Sequence, residues 1–169
     1  IALSLVGSEM CIRDRARQLA ELCRRHRALF IVNDRIDLAL LVNADGVHLG
    51  QDDLPHAEAR ELLGSDKLIG RSTHRLEHLM KAQDDGADYV GVGPVFATRT
   101  KAGRTPAGLD WVRNAHAAAT VPWFAIGGID ASTIAEVRAA GASRVAVVSA
   151  IMAADDPVEA SQQLLHQLA

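Results

Sequence analysis

The chain has 169 residues, of which 49% are hydrophobic and 23% are charged, and its formal net charge is −3. This length and apolar content support one domain with a sizeable core and exclude a disordered chain. The charge balance excludes a globally basic nucleic-acid binder, and no window approaches the roughly 18 consecutive apolar residues of a membrane span. Two cysteines are too few for a disulfide framework, so we expect a cytoplasmic location.

Residues 1–14 differ in pattern from the rest of the chain. The opening IALSLV is apolar but short, and no basic residues precede it as they would in a secretory signal. The next stretch, GSEMCIRDR, fits neither a helical nor a strand period and resembles the translated adapter strings found in environmental sequence assemblies. We therefore interpret residues 1–14 as a non-native segment or, alternatively, as an irregular N-terminal arm, and we expect the domain to comprise residues 15–169.

Helical and strand patterns alternate from residue 16 onwards. The segment ARQLAELCRRHR has the apolar periodicity of an amphipathic helix over 16–27, and LFIVND is a short apolar strand. Five further strands are predicted in GVHL, KLIGRSTH, DYVGVG, VPWFAI and RVAVVSAI. The remaining helices are predicted over 36–43, 55–63, 75–85, 108–118 and 131–140, with a final helix beginning at Pro157.

Six successive strand–helix units predict a parallel α/β fold with right-handed crossovers. Aromatic residues make up only 4% of the chain, which favours buried parallel strands over an antiparallel sandwich. Polar residues follow every strand, as in a barrel whose βα loops meet at one face; an open doubly wound sheet would concentrate them at one switch point. We predict a (β/α)8 TIM-barrel type fold that is incomplete, with about six of its eight βα units.

Two neighbouring strand ends carry the pattern of a phosphate site. Gly127 and Gly128 follow one strand and precede a helix predicted to begin near Ala131, and the first backbone N–H groups of a helix suit an anion. Val148 and Ser149 follow the next strand and add a hydroxyl group. Phosphate sites between the last two loops are frequent in barrels, although an ordinary tight turn would also use a glycine pair.

Asp34 and Asp53 follow consecutive strands, so both carboxylates can reach one face of the barrel. Together with Asn33 and Gln51 they form an oxygen-rich cluster, which suits a hard cation such as Mg²⁺ that also holds a diphosphate. The alternative is structural, and spacing alone favours it: each aspartate would cap the helix that follows it.

The segment TRTKAGRT, residues 98–105, combines hydroxyls, glycine and cations without an apolar anchor. A long polar loop at the functional face of a barrel is more often functional than not, and the alternative is a solvated loop. His48 lies inside a strand, where a satisfied core histidine is favoured over a catalytic one.

These motifs together resemble the thiamine phosphate synthase family. The segments FIVNDRIDLAL, VHLGQDDLP, LIGRSTH, GADYVGVGPVFATRTKAG, PWFAIGGID and VAVVSAI occur in the family's order and spacing over about residues 16–169. The resemblance implies a (β/α)8 transferase of thiamine biosynthesis with Mg²⁺ as cofactor. It joins 4-amino-2-methyl-5-hydroxymethylpyrimidine diphosphate to 4-methyl-5-(2-phosphoethyl)thiazole and releases pyrophosphate. Its partners are these small molecules, not nucleic acid or membrane, and a homo-oligomer is left open.

The family's roles carry over to the matching positions. Asp34 and Asp53 would hold Mg²⁺, and this overrides the capping interpretation, although capping and ligation can coexist. Asn33 would contact the pyrimidine diphosphate. Ser72 would reach the diphosphate and, with Lys101, is assigned as catalytic, because Lys101 would neutralise the leaving pyrophosphate. The substrate-binding positions assigned to the thiazole phosphate are Thr98, Arg99, Thr100, Gly128, Val148 and Ser149.

The family's mechanism ionises the pyrimidine CH₂–O bond first, and the thiazole nitrogen then captures the cation. Mg²⁺ and Lys101 would stabilise the charge of the departing pyrophosphate where it develops. The family also opens with two strands and a helix that precede the matched region, and the second strand carries a Gln-x-Arg-x-Lys segment that grips the diphosphate. IALSLVGSEMCIRDR does not reproduce that segment, so we expect an N-terminally truncated synthase with little condensation activity on its own.

Two other functions remain as alternatives. A thiazole tautomerase, a near relative on the same barrel, places a histidine where this chain has Pro94, which argues against that activity. A non-catalytic phosphate-binding barrel is the other alternative, and the presence of Asp34, Asp53 and Lys101 argues against it.

Overall fold

A computed structural model describes residues 9–98 and 105–168, in which strands and helices alternate along the chain. The strands are β1 (Ile31–Asn33), β2 (Gly46–Leu49), β3 (Leu68–Thr73), β4 (Tyr89–Val92), β5 (Trp123–Ile126) and β6 (Val145–Ala146). The helices are α1 (Glu9–Arg25), α2 (Ile36–Leu41), α3 (His56–Leu63), α4 (Leu76–Asp84), α5 (Gly108–Ala118), α6 (Ile134–Ala139), α7 (Ser149–Met152) and α8 (Pro157–Leu168). Within these described ranges, none of the helices has the length and apolar character that crossing a membrane requires.

The six strands follow one another in the sheet in chain order, β1 to β6. β1 with β2, β2 with β3, β4 with β5 and β5 with β6 all pair in parallel. β3 and β4 are joined by backbone bonds from Asp88 N to Ile69 O (3.0 Å) and from Gly93 N to Thr73 O (3.1 Å). A parallel sheet in chain order with helical crossovers is the arrangement predicted from the alternating pattern.

The chain divides into two compact units, which are described separately. Unit 1 comprises the described residues up to Arg71 together with Asp85–Tyr89. Its core is formed by aliphatic side chains of β1, β2 and β3 with the inner faces of α1, α2 and α3. Val47, Leu49 and Ile69 are fully buried there, because strands covered by helices bury near-continuous apolar runs.

Unit 2 comprises Ser72–Asp84 and the described residues from Val90 onwards. Its core packs β5 against α5, α6 and α8, with Val112, Ile134 and Val137 fully buried. Trp111 is buried in α5, and half-buried Trp123 packs against this core. Both tryptophans are therefore packing residues.

Two aspartates in unit 1, each just before a strand, form equivalent hydrogen bonds to the neighbouring strand segment. The Asp45 carboxylate accepts a bond from Phe30 N (2.7 Å), and the Asp88 carboxylate accepts one from Ile69 N (2.8 Å). Each aspartate also donates its own backbone N–H to the carbonyl of that same residue. These paired bonds align each incoming strand with its neighbour and so set the register at the carboxyl ends, where the candidate residues lie.

The first helix begins earlier than the sequence pattern indicated. α1 starts at Glu9, so residues 9–15, which were expected to fit no regular period, form its first turns. Ile12 packs against the unit 1 core one turn before Ala16, and Glu9 forms an ion pair with Arg35 (3.1 Å). The apolar face thus extends further towards the N-terminus than the stripe seen from residue 16 onwards.

The end of the chain also differs from the sequence prediction. RVAVVSAI was predicted as one strand, but β6 covers only Val145–Ala146, and Ser149–Met152 form the short helix α7. Val148 and Ser149 are exposed, whereas a strand in the middle of a parallel sheet is buried on both faces. The strand therefore does not continue through these residues.

Candidate active site

Asp34 lies directly after β1, in a backbone conformation that presents its carboxylate beyond the strand end. Its φ is +62°, a left-handed conformation that aspartate tolerates better than most residues with a side chain. Its N–H donates to His48 O on β2 (2.9 Å), and the side-chain amide of Asn33 donates to Asp34 Oδ2 (2.7 Å). The Asn33 amide therefore orients the carboxylate that follows it in the chain.

Asp53 occupies the turn that leaves β2. Its Oδ2 accepts a bond from Gly50 N at 2.6 Å, so the carboxylate closes its own four-residue turn. The Asp53 side chain is half-buried, while neighbouring Asp52 is exposed. The turn thus holds one of the two adjacent carboxylates in a defined position.

The helix-capping interpretation of both aspartates is wrong. The N-cap residues of α2 and α3 are Arg35 and Pro55, and neither helix has a side-chain cap bond. Asp34 Oδ2 instead accepts from Asn33, and Asp53 Oδ2 accepts from Gly50. Because both carboxylates interact within the turns that carry them, they serve neither helix as a cap.

The residues present fit a cation that the substrate helps to bind. Among the described residues no group of three or more His, Cys, Asp and Glu side chains is arranged to hold a metal. Asp34 and Asp53 supply carboxylate oxygens, the ligand type that Mg²⁺ prefers. Mg²⁺ is commonly bound through one or two carboxylates plus substrate phosphates and water, so these two carboxylates would hold a cation only together with phosphate oxygens of a substrate.

His48 has a partner within the sheet of unit 1, as expected of a core histidine. Its Nδ1 lies 3.2 Å from the hydroxyl of Tyr89, and the two ring centroids are 5.5 Å apart. The Tyr89 ring covers Gly70, where an added Cβ would lie 2.1 Å from the ring. Burial raises the pKa of Tyr89 well above its ordinary value, so its hydroxyl stays protonated.

Arg71 is a buried cation that the sequence analysis did not single out. It is only 9% exposed, and its Nη1 donates to Leu54 O (3.0 Å) in the turn that also contains Asp53. A charged residue within the strand pattern LIGRST was the signal that could have identified it, since arginine is rarely buried without a partner.

The glycine pair of unit 2 forms a turn that excludes larger residues. Gly127 and Gly128 have φ values of +101° and +65°. A Cβ at Gly127 would lie 2.6 Å from Pro94 Cα, and one at Gly128 would lie 2.7 Å from Ala97 O. The tight-turn role left open by the sequence is therefore real, and it leaves the turn's backbone uncovered by any side chain of its own.

The two ends of the polar loop are tied beside this turn. Val95 N donates to Ile126 O (2.9 Å) and Phe96 N donates to Gly127 O (2.9 Å). On the returning side, Ala107 N donates to Pro94 O (2.7 Å). Thr98 is half-buried at the start of the loop, while Arg99, Thr100 and Lys101 lie outside the described residues.

The open helix N-terminus predicted after the glycines is not found. α6 begins at Ile134, not near Ala131, and Asp130 closes the intervening turn. Its Oδ1 accepts from Ser132 N (2.9 Å) and from the Ser132 hydroxyl (2.6 Å), and these bonds lower the pKa of Asp130. Because a carboxylate already accepts this amide, a phosphate would have to bind at the glycine turn itself.

The loop after β5 and helices α7 and α8 line one cavity of about 320 Å³. Its lining is Asp130, Ala131, Ser132, Ala150, Ala160, Gln163 and Leu164. Gly128, Val148 and Ser149 do not line this cavity, although each lies within two residues of a lining residue in the chain. The cavity therefore does not contain the predicted phosphate contacts.

Ser72 lies one residue before the end of β3 and is half-buried. The next residue, Thr73, is fully buried, and its hydroxyl donates to Gly91 O (2.9 Å). His74 follows, with Nδ1 2.5 Å from Gly93 O. His74 directly follows Ser72 and Thr73 at the strand end, although no role was predicted for it from the sequence.

Comparisons with known proteins give consistent results. The profile of the thiamine monophosphate synthase family matches residues 7–151. The thiamine-phosphate synthase of Synechococcus sp. strain WH7803 is 70% identical over 96% of this chain, and that of Synechocystis sp. strain PCC 6803 is 62% identical over 91%. The chain spans 46% and 45% of the length of these two relatives.

Solved structures agree on the fold. A thiamine phosphate pyrophosphorylase from Pyrococcus furiosus aligns with a TM-score of 0.88 at 35% identity, covering 99% of this chain and 80% of that one. A 3-hexulose-6-phosphate synthase, with a TM-score of 0.68 at 19% identity over 97% of this chain and 86% of that one, shares the fold alone. The predicted α/β class, a barrel type with six strand–helix units, is confirmed.

Proposed function

Because the chain belongs to the thiamine monophosphate synthase family, we propose that it acts in the synthesis of thiamine phosphate. The reaction joins 4-amino-2-methyl-5-hydroxymethylpyrimidine diphosphate to 4-methyl-5-(2-phosphoethyl)thiazole and releases pyrophosphate. The family match over residues 7–151 carries this proposal, and the carboxylates at two successive strand ends support it. As the low cysteine content indicates, we place the reaction in the cytoplasm.

Unit 1 supplies the residues for the diphosphate side of the reaction. Asp34 and Asp53 would hold Mg²⁺, which neutralises charge on the diphosphate when bound. The Asn33 amide orients the Asp34 carboxylate, and the Gly50 N–H orients that of Asp53. These bonds would keep both ligands in place before substrate arrives, which reduces the free energy spent on ordering them.

Unit 2 supplies the residues for the thiazole phosphate and for the departing pyrophosphate. The backbone of Gly128 and the exposed Ser149 hydroxyl, with Val148 beside it, are the proposed phosphate contacts. Thr98, Arg99 and Thr100 would complete them from the polar loop. Ser72 would contact the diphosphate, and Lys101 would neutralise pyrophosphate as it leaves.

The reaction needs charge stabilisation and no protein base. The CH₂–O bond breaks with its electron pair leaving on pyrophosphate, and the thiazole nitrogen then donates its lone pair to the CH₂ carbon. No proton moves to or from the protein in either step. The side chains assigned above fit this chemistry, because they bring cations and hydroxyl donors to phosphate groups.

Condensation is best tested in a full-length host. Residues 16–168 would replace the matching residues of the 70%-identical Synechococcus relative. We expect the hybrid to form thiamine phosphate and release pyrophosphate in a Mg²⁺-dependent reaction. The matched control is the same hybrid with Asp53→Asn, which preserves the shape of the side chain and removes its charge.

Two results would contradict the proposal. The first is a folded hybrid that binds thiazole phosphate but forms no thiamine phosphate, which would favour the phosphate-binding barrel. The second is a hybrid that interconverts thiazole phosphate tautomers without condensing them, which would favour the tautomerase despite Pro94.

A further inference from the structure

Arg71 is the one arginine classed as buried among the described residues. It lies in β3 opposite Leu49, the last residue of β2, so it sits where the turn carrying Asp53 begins. Ile69, Arg71 and Thr73 are all buried and, being two residues apart along β3, share one strand face. A methionine would fill such a position with similar length and no charge. Because a buried charge is costly, the guanidinium is expected to have a polar partner that justifies its burial.

The Arg71 guanidinium forms a hydrogen bond to the backbone of the turn that contains Asp53. Its Nη1 donates to Leu54 O at 3.0 Å, one residue after Asp53. At the other end of the turn, Gly50 N donates to Asp53 Oδ2 at 2.6 Å. The Asp53 carboxylate is therefore held by one bond made within the turn, and the backbone of the turn is held by a second bond from the neighbouring strand.

Charge complements this geometry. Asp53 and Asp85 both attract the Arg71 guanidinium, while its burial lowers the pKa of Arg71. Arginine stays protonated even so, because its ordinary pKa lies far above neutral pH. The guanidinium therefore remains a charged hydrogen-bond donor to the turn.

We propose that Arg71 is a positioning residue for Asp53: it holds the turn between Gly50 and Leu54 so that this carboxylate is presented as a metal ligand. The inference rests on the proposed function for the metal, but its structural part does not. Arg71 does not touch the cation or the substrate in this proposal and acts only through the turn.

The structural part can be measured at the Gly50 amide. Labelling the 169-residue chain with [¹⁵N]glycine gives at most 13 backbone signals, and a Gly50→Ala variant identifies the Gly50 signal. Asp53→Asn gives the reference position for a turn without the charged acceptor. We expect Arg71→Met to move the Gly50 signal towards that reference or to broaden it. Arg71→Lys should restore most of the wild-type position, because lysine keeps a charged donor.

The functional part is measured with Mg²⁺ and inorganic pyrophosphate as the probe. Calorimetric titration of Mg²⁺-pyrophosphate should show Kd about tenfold higher in Arg71→Met, the size typical when a group supporting a metal ligand is removed. Arg71→Lys should lie between the two. Arg113→Met, an exposed arginine paired with Asp110 in unit 2, removes the same charge away from the turn and should leave Kd unchanged.

The outcomes separate the two proposals. An unchanged Gly50 signal in folded Arg71→Met overturns the positioning role, whatever the metal does. A Gly50 signal that moves, with pyrophosphate binding unchanged in Arg71→Met but weakened in Asp53→Asn, also overturns it, because the turn would move without consequence for the ligand. If Asp53→Asn leaves binding unchanged, the proposed metal site fails, and the Gly50 signal alone decides whether Arg71 holds the turn.

Discussion

The two units position their candidate residues by different means. In unit 1, side-chain polar groups hold the turns: Asp53 accepts from Gly50 N, the Asn33 amide donates to Asp34, and Arg71 donates to Leu54 O. In unit 2, the glycine turn after β5 is held by backbone bonds and by glycines that admit the neighbouring segment, and a side chain, that of Asp130, closes only the turn that follows. One unit thus presents charges, and the other presents uncovered backbone.

This difference matches the chemistry proposed for each unit. A cation site needs carboxylates in fixed positions, and those carboxylates must be oriented by donors. A phosphate contact made by backbone needs a close approach, which side chains would block. Substitutions that change charge without changing shape should therefore matter most in unit 1. Substitutions that add volume should matter most in unit 2.

Lys101 and Arg99 are assigned residues of unit 2 that depart from this rule, because they contribute charge, and Lys101 is the one assigned a catalytic role. In the full-length hybrid, Lys101→Ala should lower kcat by about 100- to 1000-fold, the range for removing one group that stabilises transition-state charge. The KM for thiazole phosphate should change little, because the charge acts on the departing pyrophosphate. Pyrophosphate release and calorimetry with thiazole phosphate would measure the two effects. A collapse of thiazole phosphate affinity with normal turnover at saturation would show that Lys101 binds the acceptor instead.

Asp53→Asn tests whether charge rather than shape matters in unit 1. In the hybrid at limiting Mg²⁺ we expect turnover to fall by about 100-fold, since a metal ligand supplies several kcal/mol of charge stabilisation. The unfolding free energy should change by about 1 kcal/mol or less, because the asparagine carbonyl can still accept from Gly50 N. Asp34→Asn is the matched variant, since asparagine also tolerates the left-handed conformation. A large loss of stability with unchanged turnover would return both residues to a structural role.

Gly128→Ala tests whether volume matters in unit 2. The substitution combines a left-handed φ of +65° with a Cβ 2.7 Å from Ala97 O, so we expect a loss of about 2–4 kcal/mol in unfolding free energy. Gly108→Ala is the matched control: its φ is +74°, but no described atom lies within 4 Å of the added Cβ. That variant should lose only about 1–2 kcal/mol. Urea unfolding of both variants measures the difference. Equal losses would contradict the prediction, because they would show that the contact between the added Cβ at position 128 and Ala97 O costs no stability.

The alternation of strands and helices could be predicted from the sequence, because it depends on the spacing of apolar residues along the chain. The helix predicted over 108–118 coincides with α5, and the strands lie where the aliphatic runs are. The alternation ends correctly at Pro157, which opens α8 as an N-terminal proline should. Errors arose where a segment's partners lie elsewhere in the chain, as with the first turns of α1, which Ile12 and the Glu9–Arg35 pair hold.

The sequence predicted that the candidate residues Asp34 and Asp53 follow strands, as they do, but it did not predict their contacts. Spacing alone favoured helix capping for Asp34 and Asp53, because it shows which helix follows but not which amide lies within reach. Gly50 N, not an amide of α3, lies 2.6 Å from Asp53. Likewise the Asp130 side chain closes the turn before α6, and that helix begins at Ile134, not near Ala131 as predicted. Such local competition for donors depends on atomic positions that periodicity does not encode.

The smallest effect expected concerns pH and distinguishes the two units by stability. His56 in unit 1 is buried with Nδ1 unpartnered, and its pKa is lowered chiefly by burial and also by Arg60 and Arg71, while Asp85 and Asp88 oppose this. A histidine with a lowered folded pKa binds fewer protons than in the unfolded chain, so stability falls as pH drops through the unfolded value, about 6.5. We expect the unfolding free energy to fall between pH 7.5 and about 5.5, and His56→Gln should make its dependence on pH less steep.

His78 in unit 2 is the matched comparison for His56. Burial lowers the pKa of His78 and its Nδ1 has no hydrogen-bond partner, as in His56, so His78→Gln tests the same effect in unit 2. If His56→Gln leaves the slope intact while His78→Gln removes it, acid sensitivity belongs to unit 2 and not to the unit that carries the carboxylates.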